Sequence, residues 1–232
     1  MRTPERLADL QAEIRTLFAG CRRVLFVPWA LADHDGYLQA MHDRGFSAGF
    51  ELQGIHRAAD PVQAVTEAEA LYVGGGNSFR LLAALQFPGL MEAIRARADA
   101  GMPYLGVSAG TNVACPTIRT TNDMPIVEPP RGLGALGLVD FQINPHFLSG
   151  PVWGQDAAGN FHPHCGETRE DRLAEFHECN RAPVLGLREG ALLRVTGTAL
   201  FLSAGSARMF AAGRPAVDLT APCAVTMPVL ED

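Results

Sequence analysis

The sequence predicts an α/β fold: a three-layer sandwich with a mainly parallel central sheet and antiparallel hairpins added in the C-terminal half. In the first half of the chain, short apolar runs alternate with amphipathic stretches of helical period. Two of these runs end in glycine-rich turns that open helices, as expected of a parallel sheet covered on both faces. After about residue 135, apolar runs lie close together and are separated by turn residues, which favours hairpins.

The individual elements follow from local signals. Thr3, Pro4 and Glu5 begin a helix, because threonine caps it, proline fits its first turn and an acid suits its positive end. The strands predicted from apolar runs are 24–27, 50–55, 70–73, 104–107, 141–144, 184–187, 192–195 and 199–202. The other predicted helices cover about 36–44, the stretch from Ser78, 90–100 and 167–179.

Composition limits the classes of function. The 232 residues fit a single catalytic domain, 1–232, and 47% of them are hydrophobic, which is ample for a core. The net charge of −6, without any run of like charges, argues against nucleic acid and against an anionic membrane surface as partners.

The cysteines and the first residues favour a cytoplasmic protein. The five cysteines are scattered and form no Cys-x-x-Cys pair, so neither a disulfide framework nor a zinc knuckle is expected. The start lacks the apolar stretch of a signal peptide, and no apolar run approaches ~20 residues. His162, His164 and Cys165 could mimic a metal site, but no third ligand pattern accompanies them, and no metal is predicted.

Gly106-Val107-Ser108-Ala109-Gly110 fits the turn that presents a nucleophilic serine between a strand and a helix. The flanking glycines avoid side-chain clashes in that sharp turn, and Ser108 then lies at the positive end of the following helix. The N–H of Ala109 would point to where an oxyanion forms. A serine hydrolase with Ser108 as nucleophile is therefore predicted, although the pattern alone also occurs in ordinary strand-to-helix turns.

Ser108 requires a base and an orienting acid. Among the seven histidines, His146 is favoured because it follows a predicted strand, and strand ends are where such sites assemble. Two acids are candidates, Glu189 in the turn 186–190 and Asp123 in the segment 120–125. Either could also be an ordinary turn acid.

The glycine loop 74–76 follows a strand and opens a helix. Such a loop can hold a phosphate, but here the third glycine of a dinucleotide fingerprint and the Walker lysine are both absent. The preferred interpretation is a second oxyanion donor, brought beside Ser108 from the neighbouring strand.

Six segments together resemble the peptidase E family of alpha-aspartyl dipeptidases, and cyanophycinase is a more distant relative. The segments are 73–79, 106–110, 115–127, 142–147, 166–170 and 186–190. The resemblance runs from about Arg22 to about Gly213, and its most specific part is Thr-Ile-Arg-Thr-Thr-Asn-Asp at 117–123. Family members usually open with an apolar strand that is missing or replaced here, a difference expected to affect the sheet edge and the oligomer rather than the triad.

The resemblance implies a class I glutamine amidotransferase-like fold, in which serine replaces cysteine. It implies a Ser-His-Glu triad on Ser108, His146 and Glu189, an order that differs from that of the α/β-hydrolases. It also implies oxyanion donors at Ala109 and at Gly75 or Gly76.

The resemblance further implies hydrolysis of dipeptides with an N-terminal aspartate, without a metal or an organic cofactor. Arg169 matches the family arginine thought to read the aspartate carboxylate, a group that a guanidinium binds in bidentate fashion. A surface arginine paired with Glu170 or Glu178 is the alternative. Asn77 and Asp123 are further candidates for substrate binding. The predicted partners are small Asp-X peptides, and the expected state is a monomer or homodimer.

Two other functions remain open from the sequence. One is a cyanophycinase-like or other peptide hydrolase on the same scaffold, since an acidic protein can attract a cationic arginine polymer. The other is a non-catalytic protein that binds an anion at the glycine loop.

Overall fold

The computed structural model describes residues 4–44, 49–151, 153–163 and 166–228. By contact density the chain divides into two compact units, Met1–Pro145 and His146–Asp232. Each unit is described by itself.

The first unit is built on a four-stranded sheet whose strands are all parallel. The strands are β1 (Arg23–Val27), β2 (Glu51–Gly54), β3 (Leu71–Val73) and β4 (Tyr104–Gly106), and their spatial order is β2-β1-β3-β4. The parallel α/β architecture predicted from the sequence is thereby confirmed. A further strand, β5 (Gln142–Pro145), ends this unit.

Helices cover both faces of this sheet. They are α1 (Pro4–Leu17), α2 (His34–Asp43), α3 (Pro61–Glu67), α4 (Ser78–Leu85), α5 (Leu90–Asp99) and α6 (Ala109–Ala114), with a 3₁₀ turn at Ile55–Arg57. Along β1, Val24 and Phe26 pack with residues of α1 and α2, whereas Leu25 and Val27 pack with residues of α3 to α6. Alternate side chains of a strand point to opposite faces, so the buried run forms the middle of three layers.

The second unit is mainly antiparallel. Its elements are β6 (Trp153–Gln155), β7 (Phe161–Pro163), α7 (Arg169–Cys179), β8 (Val184–Leu187), β9 (Leu192–Thr196), β10 (Ala199–Ala204), β11 (Ser206–Ala211), β12 (Arg214–Thr220) and β13 (Cys223–Val225). Strand β11 lies between β8 and β12, β10 lies between β9 and β13, and β6 pairs with β7. A small core of Phe147, Leu173 and Val184 joins α7 to β8. The predicted hairpin of 192–195 with 199–202 is confirmed.

Several elements were not predicted, namely α3, β6, β7 and β11 to β13. A signal for α3 exists in the sequence, because Asp60 caps its first amides and Pro61 occupies its first position. The predicted strand 50–55 ends at Gly54, since the 3₁₀ turn begins at Ile55. Within the described residues, no helix is long and apolar enough to span a membrane.

Candidate active site

Ser108 occupies a strained turn between β4 and α6. Its backbone angles are φ 56° and ψ −109°, a region that residues with a side chain rarely adopt. Such strain is typical of functional sites and persists only where surrounding contacts enforce it. The predicted strand-to-helix turn is therefore present, and Ser108 stands directly before the first residue of α6.

Backbone packing explains why glycine stands on both sides of Ser108. A Cβ atom on Gly110 would lie 2.1 Å from the carbonyl oxygen of Val73, and one on Gly106 would lie 2.5 Å from the carbonyl oxygen of Gly110. Neither backbone oxygen belongs to a movable side chain, so only glycine fits at these positions. The turn is held further by Tyr104, whose hydroxyl donates to the Gly110 carbonyl at 2.6 Å.

The glycine loop after β3 packs directly against the serine. A Cβ atom on Gly75 would lie 3.0 Å from Cβ of Ser108 and 3.1 Å from the carbonyl oxygen of Val107. The loop is fixed by its own amides: Gly74 donates to the Val27 carbonyl at 3.1 Å and Gly75 donates to the Tyr37 hydroxyl at 2.9 Å. The loop predicted to adjoin Ser108 therefore does so.

The backbone N–H groups around Ser108 differ in whether they already donate a hydrogen bond. The N–H groups of Asn77 and Ser78 donate to the Ala30 carbonyl and the Asp123 carboxylate. Within the part of the chain that the structure describes, the N–H groups of Gly76 and Ala109 have no acceptor. Backbone donors without an acceptor beside a serine are what an oxyanion requires.

Asp123 lies at the start of α4. Its Oδ2 accepts from the Ser78 amide at 2.8 Å, from the Ser78 hydroxyl at 2.7 Å and from the Thr121 hydroxyl at 3.2 Å. The Asn77 side chain accepts from the Arg80 amide and donates to the Met124 carbonyl at 2.8 Å. These bonds tie the segment 120–125 to the residues that follow the glycine loop.

Helix α6, which Ser108 precedes, is also bonded to the last strand of the first unit. The Asn112 side chain donates to the Ile143 carbonyl at 2.9 Å, and the Thr120 hydroxyl donates to the same oxygen at 2.9 Å. The Asn122 side chain donates to the Pro145 carbonyl at 2.7 Å. Buried polar side chains thus fix β5 up to Pro145, and His146 is the next residue of the chain.

In the second unit, His146 forms a short bond with Glu189. The distance from Nδ1 of His146 to Oε2 of Glu189 is 2.6 Å, and both side chains are 53% exposed. Because an ionised carboxylate only accepts, the imidazole donates from Nδ1, which leaves Nε2 as the basic nitrogen. His146 has a positive φ of 55°, so its backbone is held in the left-handed region. Of the two candidate acids, Glu189 is therefore the one bonded to His146.

The residues around this pair are clamped by Arg188. Its guanidinium lies over the Phe147 ring at 5.6 Å and donates to the Ser149 hydroxyl at 2.7 Å. The same group donates to Asp218 at 2.9 Å, and the Phe147 amide donates to the Leu187 carbonyl at 2.9 Å. Phe147, which follows His146, and Arg188, which precedes Glu189, are thereby fixed within the second unit.

Arg169 is the first residue of α7 and is half-buried. Thr168 caps this helix, and the Asp171 carboxylate in turn accepts from the amide and the hydroxyl of Thr168. The bond from the Thr168 amide is the main cause that holds the pKa of Asp171 below its usual range. Glu170, one alternative partner of Arg169, is engaged by the Gly150 amide and by Arg208.

Comparison with known proteins identifies the family. The profile of Peptidase family S51 matches residues 1–203. The chain belongs to peptidase family S51. It is 53% identical to "Peptidase E" of Streptomyces coelicolor over 82% of this chain and 75% of that one. It is 44% identical to "Probable alpha-aspartyl dipeptidase" of Drosophila melanogaster over 92% of this chain and 90% of that one.

Solved structures agree on the fold. A peptidase from an acI-B1 Actinobacterium superposes with a TM-score of 0.66 at 17% identity, over 97% of this chain and 92% of that one. A putative Peptidase E protein from Listeria monocytogenes gives 0.57 at 20% identity, over 93% and 94%. The S51 chain is therefore an α/β peptide hydrolase, and the family predicted from its motifs is confirmed.

Two other features of this S51 chain concern metal binding and a second possible nucleophile. His162 is an exposed residue of β7, whereas His164 and Cys165 lie outside the described residues. The described residues hold no group of three metal-binding side chains. Burial raises the pKa of the Cys115 thiol, at the end of α6, to about 12. That thiol is therefore protonated at neutral pH and is no nucleophile.

Sequence reasoning missed one residue of the site, Tyr37, whose hydroxyl accepts from the loop amide of Gly75. The two residues are 38 positions apart and belong to different elements, so no local motif links them. The available signal was weaker: Tyr37 follows the capped start of α2, which itself follows a strand end of the parallel sheet.

Proposed function

We propose that the chain is a serine-type dipeptidase that hydrolyses dipeptides with an N-terminal aspartate through Ser108, His146 and Glu189. The observation that carries the proposal is the strained turn of Ser108, packed against Gly75 and next to two amides that have no acceptor among the described residues. The 2.6 Å bond between His146 and Glu189 supports the other two roles. The relatives named Peptidase E and probable alpha-aspartyl dipeptidase support the substrate class.

In the proposed reaction, His146 takes the proton of the Ser108 hydroxyl as its oxygen attacks the peptide carbonyl. The carbonyl oxygen becomes an oxyanion, held by the N–H groups of Ala109 and Gly76. Each such donor contributes roughly 10²–10³ in rate. Glu189 orients the imidazole and stabilises its cation.

The proposed intermediate is an aspartyl ester of Ser108. His146 returns its proton to the amine of the departing amino acid as the C–N bond breaks. The same imidazole then activates a water, which attacks the ester, and Ser108 regains its proton as aspartate leaves. A neutral hydroxyl, an imidazole and backbone amides are sufficient for every one of these steps, so no bound cofactor is part of the proposal.

Arg169 is the proposed reader of the aspartate side chain. A guanidinium binds a carboxylate through two parallel hydrogen bonds, and the first position of α7 is half-buried, which strengthens such a pair relative to an exposed one. Asn77 and Asp123 remain proposed as substrate-binding residues, although their side chains already hold the segment 120–125.

A dipeptide panel tests this function directly. Asp-Leu should be cleaved at least ~30-fold faster than Asn-Leu, because the amide keeps the shape of aspartate but removes the charge that Arg169 would bind. Glu-Leu and Ala-Leu extend the comparison to length and to loss of the group. Equal rates for Asp-Leu and Asn-Leu would reject aspartate recognition.

Two further outcomes of the same panel distinguish the rival functions. Preferred cleavage of β-aspartyl-arginine would favour a cyanophycinase-like hydrolase on this scaffold. No cleavage of any peptide, together with no labelling of Ser108 by a fluorophosphonate, would favour a binding protein instead.

The organisation of the protein belongs to the same proposal. The nucleophile comes from Met1–Pro145 and the proposed base and acid come from His146–Asp232, so we propose one catalytic domain over 1–232. A cytoplasmic monomer or homodimer remains the prediction. Sedimentation of the purified chain, with and without an Asp-X product, measures the oligomeric state.

A further inference from the structure

The glycine loop beside Ser108 needs contacts from outside itself to hold its shape. Three consecutive glycines, Gly74 to Gly76, have more accessible backbone conformations than any other tripeptide. Gly76 has a φ of 138°, which is unfavourable for other residues. The orientation of the Gly76 amide therefore depends on what fixes the peptide groups around it.

Among the amide bonds of this loop that the structure describes, one goes to a side chain, which lies outside the loop. Gly74 and Asn77 donate to the backbone carbonyls of Val27 and Ala30. The Gly75 amide, between them, donates to the hydroxyl of Tyr37 at 2.9 Å. Since Gly75 also packs on Ser108, the Tyr37 hydroxyl acts on the loop at its closest approach to the nucleophile.

Tyr37 is itself well fixed. Its ring packs edge-on against the fully buried Phe26, with ring centres 5.0 Å apart. Its amide donates to the Asp33 carbonyl at 3.1 Å in the first turn of α2, and Asp33 caps that helix through the Gly36 amide. The Tyr37 ring also lies so close to Gly74 that a Cβ atom there would be 2.8 Å from the hydroxyl. The rigidly held phenol ring of Tyr37 thus contacts the glycine loop, which has no side chains of its own.

We propose that Tyr37 is a positioning residue for the oxyanion loop. Its hydroxyl holds the Gly75 amide, and this keeps the adjoining Gly76 amide directed at the developing oxyanion. The inference rests on the proposed function, in which the Gly76 and Ala109 amides bind that oxygen. It separates the two loop glycines: Gly76 donates to the substrate, whereas Gly75 donates to Tyr37.

The Tyr37→Phe variant tests this role, because it keeps the ring that packs on Phe26 and Gly74 but removes the hydroxyl. The expected result is a fall of about 10- to 100-fold in kcat for Asp-Leu, since small misplacements at a reacting centre have effects of this size. KM should stay within about twofold and the Tm within about 2 °C, because ground-state binding and ring packing are retained. If activity is lost through a higher KM or a lower Tm instead of a lower kcat, the positioning role is wrong.

Tyr72→Phe is the matched control. Tyr72 packs on the same Phe26 ring, with centres 5.1 Å apart, and is a residue of β3 that is not assigned to the site. Its variant should keep the wild-type kcat. If both variants lose kcat equally, the loss of either hydroxyl has the same effect, so the bond to the Gly75 amide is not its cause and the inference on Tyr37 is wrong.

Two measurements keep this inference distinguishable from the proposed function. The rate at which a simple fluorophosphonate labels Ser108 also depends on the oxyanion loop, so it should fall in Tyr37→Phe even if Asp-Leu proves not to be the substrate. In the wild-type protein, the Gly75 amide should exchange with solvent at least tenfold more slowly than the Gly76 amide, as measured by NMR. Unchanged labelling in the folded variant would overturn the inference. Equal exchange of the two amides in the wild-type protein would also overturn it, and that result does not depend on whether the variant folds.

Discussion

The two units hold their proposed catalytic residues in different ways. Around Ser108 the geometry is set by backbone packing: a Cβ atom on Gly110 would clash with the Val73 carbonyl, and one on Gly75 would lie 3.0 Å from Cβ of Ser108. Around His146 it is set by charged side chains, since Glu189 and Arg188 hold that histidine and the phenylalanine after it. Backbone contacts at fixed distances leave little room for substitution, whereas ion pairs between partly exposed side chains respond to pH and salt.

This difference indicates a division of labour. Catalysis needs the oxyanion donors in one place at all times, because preorganised dipoles give their full benefit only when they need not reorganise. The proposed base, His146, must by contrast take up and release a proton in each turnover. Its partner Glu189 is half-exposed, and that site can solvate the charge that appears and disappears.

The largest effect is expected at the nucleophile. Ser108→Ala should reduce kcat for Asp-Leu by about 10⁶, because the residual rate then comes from binding and the oxyanion donors alone. Alanine can keep the turn, so circular dichroism and the Tm should match the wild type. Activity in this variant within tenfold of wild type would show that Ser108 is not the nucleophile. The backbone packing around Ser108 would then have no catalytic role.

The next effect separates the two candidate acids. Glu189→Gln should lower kcat by about 10⁴, the size of the loss seen when a triad acid becomes an amide and selects the wrong tautomer. Asp123→Asn keeps the shape at a position bonded to Ser78 and Thr121, so its main effect should be on stability. Kinetics and melting curves of both variants decide the matter. A larger kcat loss in Asp123→Asn would reverse the assignment of the acid.

The sequence was more informative about the surroundings of Ser108 than about the acid that partners His146. The spacing of Gly106, Ser108 and Gly110 encodes a steric requirement within five residues, so the turn could be predicted from the motif. The choice between Glu189 and Asp123 could not be made, because each lies far along the chain from His146 and both occur in turns. The same holds for Tyr37 and Gly75, whose bond depends on how α2 packs beside β3.

The secondary structure shows the same limit. Buried parallel strands such as 24–27 are continuous apolar runs and were predicted well. In contrast, β6 and β7 carry exposed side chains and glycine turns without an apolar run, and β12 is exposed along most of its length. Such strands exist through pairing with a neighbour, and pairing partners are not local information.

The third prediction concerns Arg169, a charged residue of the second unit. Arg169→Ala should lower kcat/KM for Asp-Leu by about 2–5 kcal/mol, because a substrate carboxylate would then be left without its partner. Arg172 lies on the same helix, with its guanidinium 3.5 Å from Glu167 and both side chains exposed, so Arg172→Ala is the matched control and should have little effect. If Asp-Leu and Ala-Leu hydrolysis fall equally in Arg169→Ala, this arginine does not read the aspartate.

The fourth prediction concerns the backbone packing around Ser108 in the first unit. Gly110→Ala should destabilise the protein by about 3 kcal/mol, because the new methyl would meet the Val73 carbonyl, which cannot move without shifting β3. At Gly134 a Cβ atom would meet nothing within 4 Å, so Gly134→Ala serves as the control. Urea denaturation measures both. Equal midpoints for the two variants would mean that the turn adapts, and the contrast between the units would weaken.

The smallest effect should come from the helix that carries Arg169. Thr168→Ala removes the cap of α7 and should cost about 1 kcal/mol at pH 7. The folded-state pKa of Asp171 is lowered first by the Thr168 amide, which the variant keeps, and then by the Thr168 hydroxyl, which it removes. The bond from the hydroxyl to the carboxylate therefore stabilises the folded state above the ordinary pKa of the carboxyl group. That contribution is lost as the pH falls through the lowered pKa. The Tm difference between wild type and Thr168→Ala should therefore shrink from pH 7 to pH 3, and a difference that stays constant would show that the hydroxyl and the carboxylate do not act as one cap.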